Sequence, residues 1–125
     1  MPRAAALLAV ALLPALAALA AGSGAGERAF QKCYSCHSVE PGETGLTGPN
    51  LRGIVGAPIA RDPDFAYSNP LRELAARDRV WSEPLLDRFV AAPEEVAPGT
   101  DMSYVGTRDP AERAALLAWL RARSD

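Results

Sequence analysis

The sequence predicts one small all-α domain, and three observations support this class. The chain has 125 residues, the length of a single domain of ordinary size. It lacks the alternation of apolar and polar residues that is typical of half-buried strands. Its 11 prolines and 10 glycines separate short segments of helical periodicity. The fold class predicted is therefore one of short helices joined by long loops.

The first and second helices follow from local signals. The first is expected from about Gly26 into Cys33, because apolar residues recur there at spacings of three and four. The second is expected over Leu71 to Arg77, with Asn69 as N-cap and Pro70 in the first turn.

The third and last helices have their own caps. Ser82 is expected to begin the third, which stops before Pro93. The last has Asp109 as N-cap, Pro110 as first residue and Glu112 placed to complete a capping box. Its apolar stripe is Leu116, Leu117, Trp119 and Leu120.

A long loop separates the first two helices. Residues 38–68 show no convincing periodicity. Such a loop is uncommon in a compact domain unless it wraps something.

Residues 1–21 are predicted to be a signal peptide. Arg3 supplies the positive start, Leu7 to Leu16 the apolar stretch, and Ala18 to Ala20 the small residues of a cleavage site. Cleavage near Ala21 would leave residues 22–125 as the mature domain, exported to the periplasm.

The alternative is an uncleaved anchor that holds the domain at the periplasmic side of the membrane. The apolar run from Ala4 to Ala21 has 18 residues, which is at the short edge of what spans a bilayer. Ten of the 18 are alanine and Pro14 interrupts them, so cleavage is favoured.

Charge excludes nucleic acid as an expected partner. Thirteen Lys and Arg stand against fifteen Asp and Glu, for a formal net charge of -2. The basic residues form no stripe with interleaved aromatic residues. All of them are Arg except Lys32.

The motif that carries chemistry is Cys-x-x-Cys-His, formed by Cys33, Cys36 and His37. It is the attachment signal of a c-type haem. The two thiols can bond to the haem vinyl groups, and His37 can then bind the iron. The motif uses both cysteines and the only histidine of the chain.

Haem attachment is favoured over three other interpretations of the two cysteines, because export, the spacing and the following His37 agree with it. A thioredoxin-like dithiol needs a βαβ context, which the sequence lacks. A zinc site needs a fourth ligand that would have to be a carboxylate. A structural disulfide with this spacing closes a very small loop and stabilises little.

Met102 is the candidate for the second axial iron ligand. The chain has two methionines, and Met1 lies in the segment expected to be removed. Pro98 and Gly99 precede Met102 and predict a tight turn that could present its sulfur. A methionine in a loop is otherwise a packing residue.

With these residues the chain resembles a class I cytochrome c of the small, soluble, monohaem kind. The resemblance runs from Gly26 to Arg121. The matching segments are 26–30, 33–37, 47–53, Tyr67-Ser68, Trp81, 98–102 with Tyr104 and Gly106, and 116–120.

The resemblance implies roles for further residues. Pro49 would accept a hydrogen bond from His37 Nδ1. Tyr67 and Trp81 would donate to a buried haem propionate. Gly26 and Phe30 would pack the first helix across the last.

The chain also departs from the family pattern. Ala57 stands where relatives carry an Arg near the inner propionate, so Arg52 or Arg61 is expected to compensate. Phe89 replaces a Tyr that meets the Met sulfur. Asp101 replaces a Lys, and the ring of lysines around the haem edge is essentially absent.

The resemblance implies a monomeric periplasmic electron carrier with one covalent haem c and His/Met ligation, and no catalytic residues. Its partners would be a cytochrome bc complex, a terminal oxidase, a photosynthetic reaction centre or a dehydrogenase. Two alternatives are a cytochrome subunit docked on a periplasmic dehydrogenase, and a peroxidase-like or gas-binding haem protein with an open distal site.

Overall fold

A computed structural model describes Met1 and residues 24–124 of the chain. Five helices are described: α1 (24–30), α2 (Asn69–Asp78), α3 (Glu83–Ala91), α4 (Pro93–Val96) and α5 (Pro110–Arg121). The same residues form no strand beyond one isolated antiparallel bridge between Pro58 and Val80. The predicted all-α class is confirmed.

The predicted signal peptide, Met1 apart, lies outside the described residues. Within the part of the chain that is described, none of the helices combines the length and the apolar character needed to span a bilayer.

Helix α1 ends earlier than predicted. It stops at residue 30, and hydrogen-bonded turns continue to residue 36. The Cys33 N–H donates to the Phe30 carbonyl over 2.8 Å, a bond that spans three residues instead of the four of an α-helix. This tightening ends the helix and leaves Cys33 in a turn.

Helices α1 and α5 cross at a glycine. A Cβ atom on Gly26 would lie 2.4 Å from Trp119 Cβ and 2.5 Å from the Ala115 carbonyl oxygen. No larger residue fits there without moving α5. Beside this point the fully buried Phe30 ring stacks on Trp119, with 4.7 Å between ring centroids. The crossing fits the packing that the resemblance implied.

The prediction that Asn69 caps α2 is wrong. Ser68 is the N-cap, and its hydroxyl accepts a hydrogen bond from the Leu71 N–H over 3.4 Å. Asn69 is then the first helical residue and Pro70 the second, where the missing proline N–H leaves no intrahelical bond unmade.

Helix α3 begins at the predicted cap Ser82 and ends before Pro93. The short helix α4 was not predicted; it starts at Pro93, because a proline that ends one helix is also suited to begin another. Both α4 and α5 pack against α3.

Helix α5 has the predicted cap, since Asp109 accepts from the Ala111 N–H over 2.9 Å. The capping box is not seen among the described hydrogen bonds. Glu112 instead accepts from Lys32 Nζ over 2.6 Å, which ties α5 to the turn after α1.

One apolar core joins helices and loops. Its buried members are Ala29, Phe30, Val39, Ile54, Ile59, Leu74, Trp81, Leu85, Leu86, Phe89, Ala97, Leu116, Leu117, Trp119 and Leu120. Val39, Ile54 and Ile59 belong to the long loop of residues 38–68, so this loop is packed as core although it contains no helix.

The cap of α3 allows a direct test. The Ser82 hydroxyl accepts from the Leu85 N–H over 3.3 Å. We expect Ser82→Ala to lower the free energy of unfolding by about 1 kcal/mol, the usual cost of an N-cap. Urea unfolding followed by circular dichroism measures it. Ser82→Asp, which keeps an acceptor, is the control; equal unfolding midpoints for the two variants would contradict the role of the cap.

Candidate haem site

The Cys-x-x-Cys-His motif forms one tight turn. The Cys33 carbonyl accepts from the N–H groups of both Cys36 (3.1 Å) and His37 (2.9 Å). Both thiols are free and partly exposed. The turn therefore holds two unpaired thiols beside an imidazole, as thioether attachment requires.

The imidazole of His37 is held in one orientation. Its exposed fraction is 9%, and its Nδ1 lies 2.7 Å from the Pro49 carbonyl oxygen. Because a carbonyl oxygen only accepts, the proton is assigned to Nδ1, and Nε2 keeps its lone pair. Burial lowers the pKa of His37, although the Pro49 bond acts in the opposite direction. The neutral form with a lone pair on Nε2 is the form that binds a metal ion.

Gly48 supplies the surface on which this ring rests. A Cβ atom there would lie 2.4 Å from His37 Cε1 and 2.7 Å from Nδ1. The imidazole thus packs directly against backbone, and any side chain at residue 48 would displace it.

Hydrogen bonds join residues 36–43 to residues 48–51 around His37. The Gly48 N–H donates to the Cys36 carbonyl (2.7 Å), and the Leu51 N–H donates to the Ser38 carbonyl (2.8 Å). Asn50 adds its side-chain amide, whose nitrogen donates to two carbonyls of the 40–43 segment over 2.7 and 2.9 Å. These bonds fix the place of Pro49 between them.

The environment of Cys33 does not suit a redox dithiol. Burial raises the pKa of Cys33 to about 11, despite the nearby charge of Lys32. Thioredoxin-like cysteines need a lowered thiol pKa. Within residues 24–124, no group of three or more His, Cys, Asp and Glu side chains is arranged to hold a metal ion, as the zinc alternative would require.

Met102 lies in a loop whose backbone is well held. Gly99 adopts the left-handed φ of 84° and donates its N–H to a Glu94 carboxylate oxygen over 2.8 Å. The Met102 N–H donates to Thr100 Oγ1 (3.3 Å), and its carbonyl accepts from the Tyr104 N–H (2.8 Å). The Met102 side chain is partly buried and packs against the core.

Tyr67 and Trp81, which are expected to donate hydrogen bonds to a haem propionate, differ in their contacts. The Tyr67 hydroxyl oxygen accepts from the Asp62 N–H over 3.1 Å, which leaves its own proton to donate. Burial raises the pKa of Tyr67 and keeps that proton in place. Trp81 is 5% exposed and its ring lies 4.9 Å from that of Phe89. The propionate role of both stays a prediction.

The two arginines expected to replace the missing one beside Ala57 make backbone contacts. Arg52 donates to the Val39 carbonyl over 3.2 Å. Arg61 donates to three carbonyls of residues 50–53. Sequence reasoning missed this use of Arg61 and the support given by Gly48 and Asn50. Both of the latter lie in the 47–53 segment that carried the resemblance.

These features define a class: a small helical protein whose Cys-x-x-Cys-His turn carries an oriented neutral imidazole is a monohaem c-type cytochrome. No family model matches the chain. Individual proteins do.

Cytochrome c2 of Agrobacterium tumefaciens is 37% identical over 95 residues, which are 76% of this chain and 86% of that protein. Cytochrome c2 of Rhodomicrobium vannielii is 34% identical over 92% of this chain and 90% of its own length. The solved structure of cytochrome cH from Methylobacterium extorquens matches with a TM-score of 0.71 and 33% identity, over 80% of this chain and 97% of that one. The chain belongs to the class I cytochrome c family, and its cofactor is one covalent haem c.

Proposed function

We propose that this protein carries single electrons in the periplasm, with His37 and Met102 as the axial ligands of its haem iron. The observation that carries the proposal is the 2.7 Å contact between His37 Nδ1 and the Pro49 carbonyl oxygen. Because this contact places the proton on Nδ1, the lone pair that can bind the iron lies on Nε2.

The other site residues have distinct tasks. Cys33 and Cys36 hold the haem by thioether bonds, and the Pro49 carbonyl fixes the tautomer of His37. Tyr67 and Trp81 hydrogen-bond a propionate. When bound, the haem supplies an iron that alternates between Fe(II) and Fe(III). If His37 and Met102 both bind the iron, no site would be open for a substrate, so we infer that the protein is not an enzyme.

Residues 1–21 direct export and residues 22–125 form the electron-carrying domain. The similarity to cytochromes c2 and cH supports the electron-carrying role of the domain. The redox partners are a cytochrome bc complex, a terminal oxidase, a reaction centre or a dehydrogenase. A net charge of -2 and the near absence of lysine favour a partner surface with neutral or basic contacts.

Carbon monoxide tests the ligand set. We expect the absorption spectrum of the reduced protein at neutral pH to stay unchanged under CO, because both axial positions are filled. A spectrum that shifts at once under CO would mean that Met102 does not bind the iron, and would favour a gas-binding or peroxidase-like protein. Reduced protein in denaturant, where the sixth ligand is released, is the positive control.

A further inference from the structure

The Arg61 guanidinium donates hydrogen bonds to the backbone of residues 50–53. Its Nη1 donates to the Gly53 carbonyl over 3.3 Å, and its Nη2 donates to the Asn50 carbonyl over 3.2 Å and also to the Arg52 carbonyl. The planar guanidinium fork can engage several acceptors at once, which an ammonium group does less well. One side chain thus fixes three of four consecutive peptide groups.

The position of Arg61 is itself set by neighbouring backbone. Ala60 has a φ of 57°, in the left-handed region that non-glycine residues seldom adopt. The Ile59 N–H is anchored on the Arg79 carbonyl over 2.8 Å. The chain therefore turns sharply between a fixed point and Arg61, which brings the guanidinium back to residues 50–53.

The segment of residues 50–53, to which Arg61 donates, directly follows Pro49. On one side the Leu51 N–H donates to Ser38, next to His37, over 2.8 Å. At the far end the Gly53 N–H donates to the Arg123 carbonyl, also over 2.8 Å. Arg61 adds hydrogen bonds to the carbonyls of residues 50, 52 and 53.

We propose that Arg61 is a positioning residue for the iron ligand: by holding residues 50–53 it keeps the Pro49 carbonyl in line with His37 Nδ1. This inference rests on the proposed function, in which His37 binds the iron. It differs from the role expected from the sequence, which was to neutralise a propionate in place of the missing arginine.

The two roles predict opposite signs for the midpoint potential. A firm Nδ1–H···O bond makes the imidazole a stronger donor and favours Fe(III), so a loosened bond raises the potential. Loss of a positive charge near a propionate favours Fe(III) and lowers it. Arg61→Lys keeps the charge and removes the fork, so this variant isolates positioning.

The experiment uses the haem-attached protein and four variants. Arg61→Lys and Arg61→Gln are compared with Arg72→Lys and Arg72→Gln, because Arg72 is an exposed arginine of α2. For Arg61→Lys we expect a raised potential and about tenfold faster hydrogen exchange at His37 Nδ1, measured by NMR. Arg61→Gln should accelerate the exchange at least as much, and both Arg72 variants should match the wild type in exchange.

The outcomes separate this inference from the proposed function. An Arg61→Lys protein with wild-type potential and exchange overturns the positioning role. If Arg61→Gln also lowers the potential, charge neutralisation is the role of Arg61 instead. If the wild-type His37 ring protons lack the paramagnetic shifts of an iron ligand in the ferric state, the proposed function fails first.

Discussion

Replacing Met102 by alanine is expected to lower the midpoint potential strongly and to let CO bind the reduced protein. A thioether ligand favours ferrous iron, so its loss favours Fe(III). We expect a decrease on the order of 0.1 V or more, within the span of about 0.8 V that axial ligands set. Redox titration and the CO difference spectrum measure the two effects.

The loop around Met102 makes this variant interpretable. Its backbone is held by bonds from residue 102 to Thr100 and Tyr104, and these do not involve the sulfur. The alanine variant therefore keeps the loop and removes the proposed ligand. Val105→Ala is a matched control, because Val105 lies three residues away and is 87% exposed. A Met102→Ala protein with unchanged potential and no CO spectrum would show that the sulfur is not the ligand.

Local sequence signals located most of the helices but not all of their ends. Asp109 and Pro110 predicted α5 because capping chemistry depends on adjacent residues only. Ser68 and Asn69 are both good caps, and the sequence alone does not choose between neighbours. The N-cap is the last residue whose backbone stays outside the helical conformation. Tertiary packing decides which of the two residues that is.

The candidate haem site was likewise only partly predictable from the sequence. The haem-attachment motif spans five consecutive residues, from Cys33 to His37, so its chemistry could be predicted from spacing alone. The contact to Pro49 was available only through resemblance to a family. The hydrogen bonds from Arg61 to residues 50–53 could be predicted neither from spacing nor from the resemblance. Their acceptors are backbone carbonyls, whose positions depend on the path of a loop without periodicity. Side chains that bond to main chain leave little pattern in a sequence.

The chain without haem is expected to be largely unfolded. Three of the fifteen buried core residues, Val39, Ile54 and Ile59, lie in the loop of residues 38–68. No helix there repays the cost of ordering the loop, about 1–2 kcal/mol per residue for the backbone. Burial of about 400 Å² of apolar surface, which a ring the size of haem can provide, contributes about 10 kcal/mol. That is as large as the net stability of a typical domain, about 5–15 kcal/mol. Removing the haem should therefore remove the folded state.

The double variant Cys33→Ala with Cys36→Ala tests this. Its thiols are gone, so no haem is attached, whereas Ser35→Ala in the same turn keeps both thiols and should keep the haem and the fold. Intact mass establishes which proteins carry haem, and far-ultraviolet circular dichroism during heating reports folding. We expect a cooperative transition for the wild type and for Ser35→Ala, and none for the double variant. A cooperative transition in the haem-free chain would mean that the helices and the α1–α5 crossing at Gly26 suffice, and that the loop folds on the polypeptide alone.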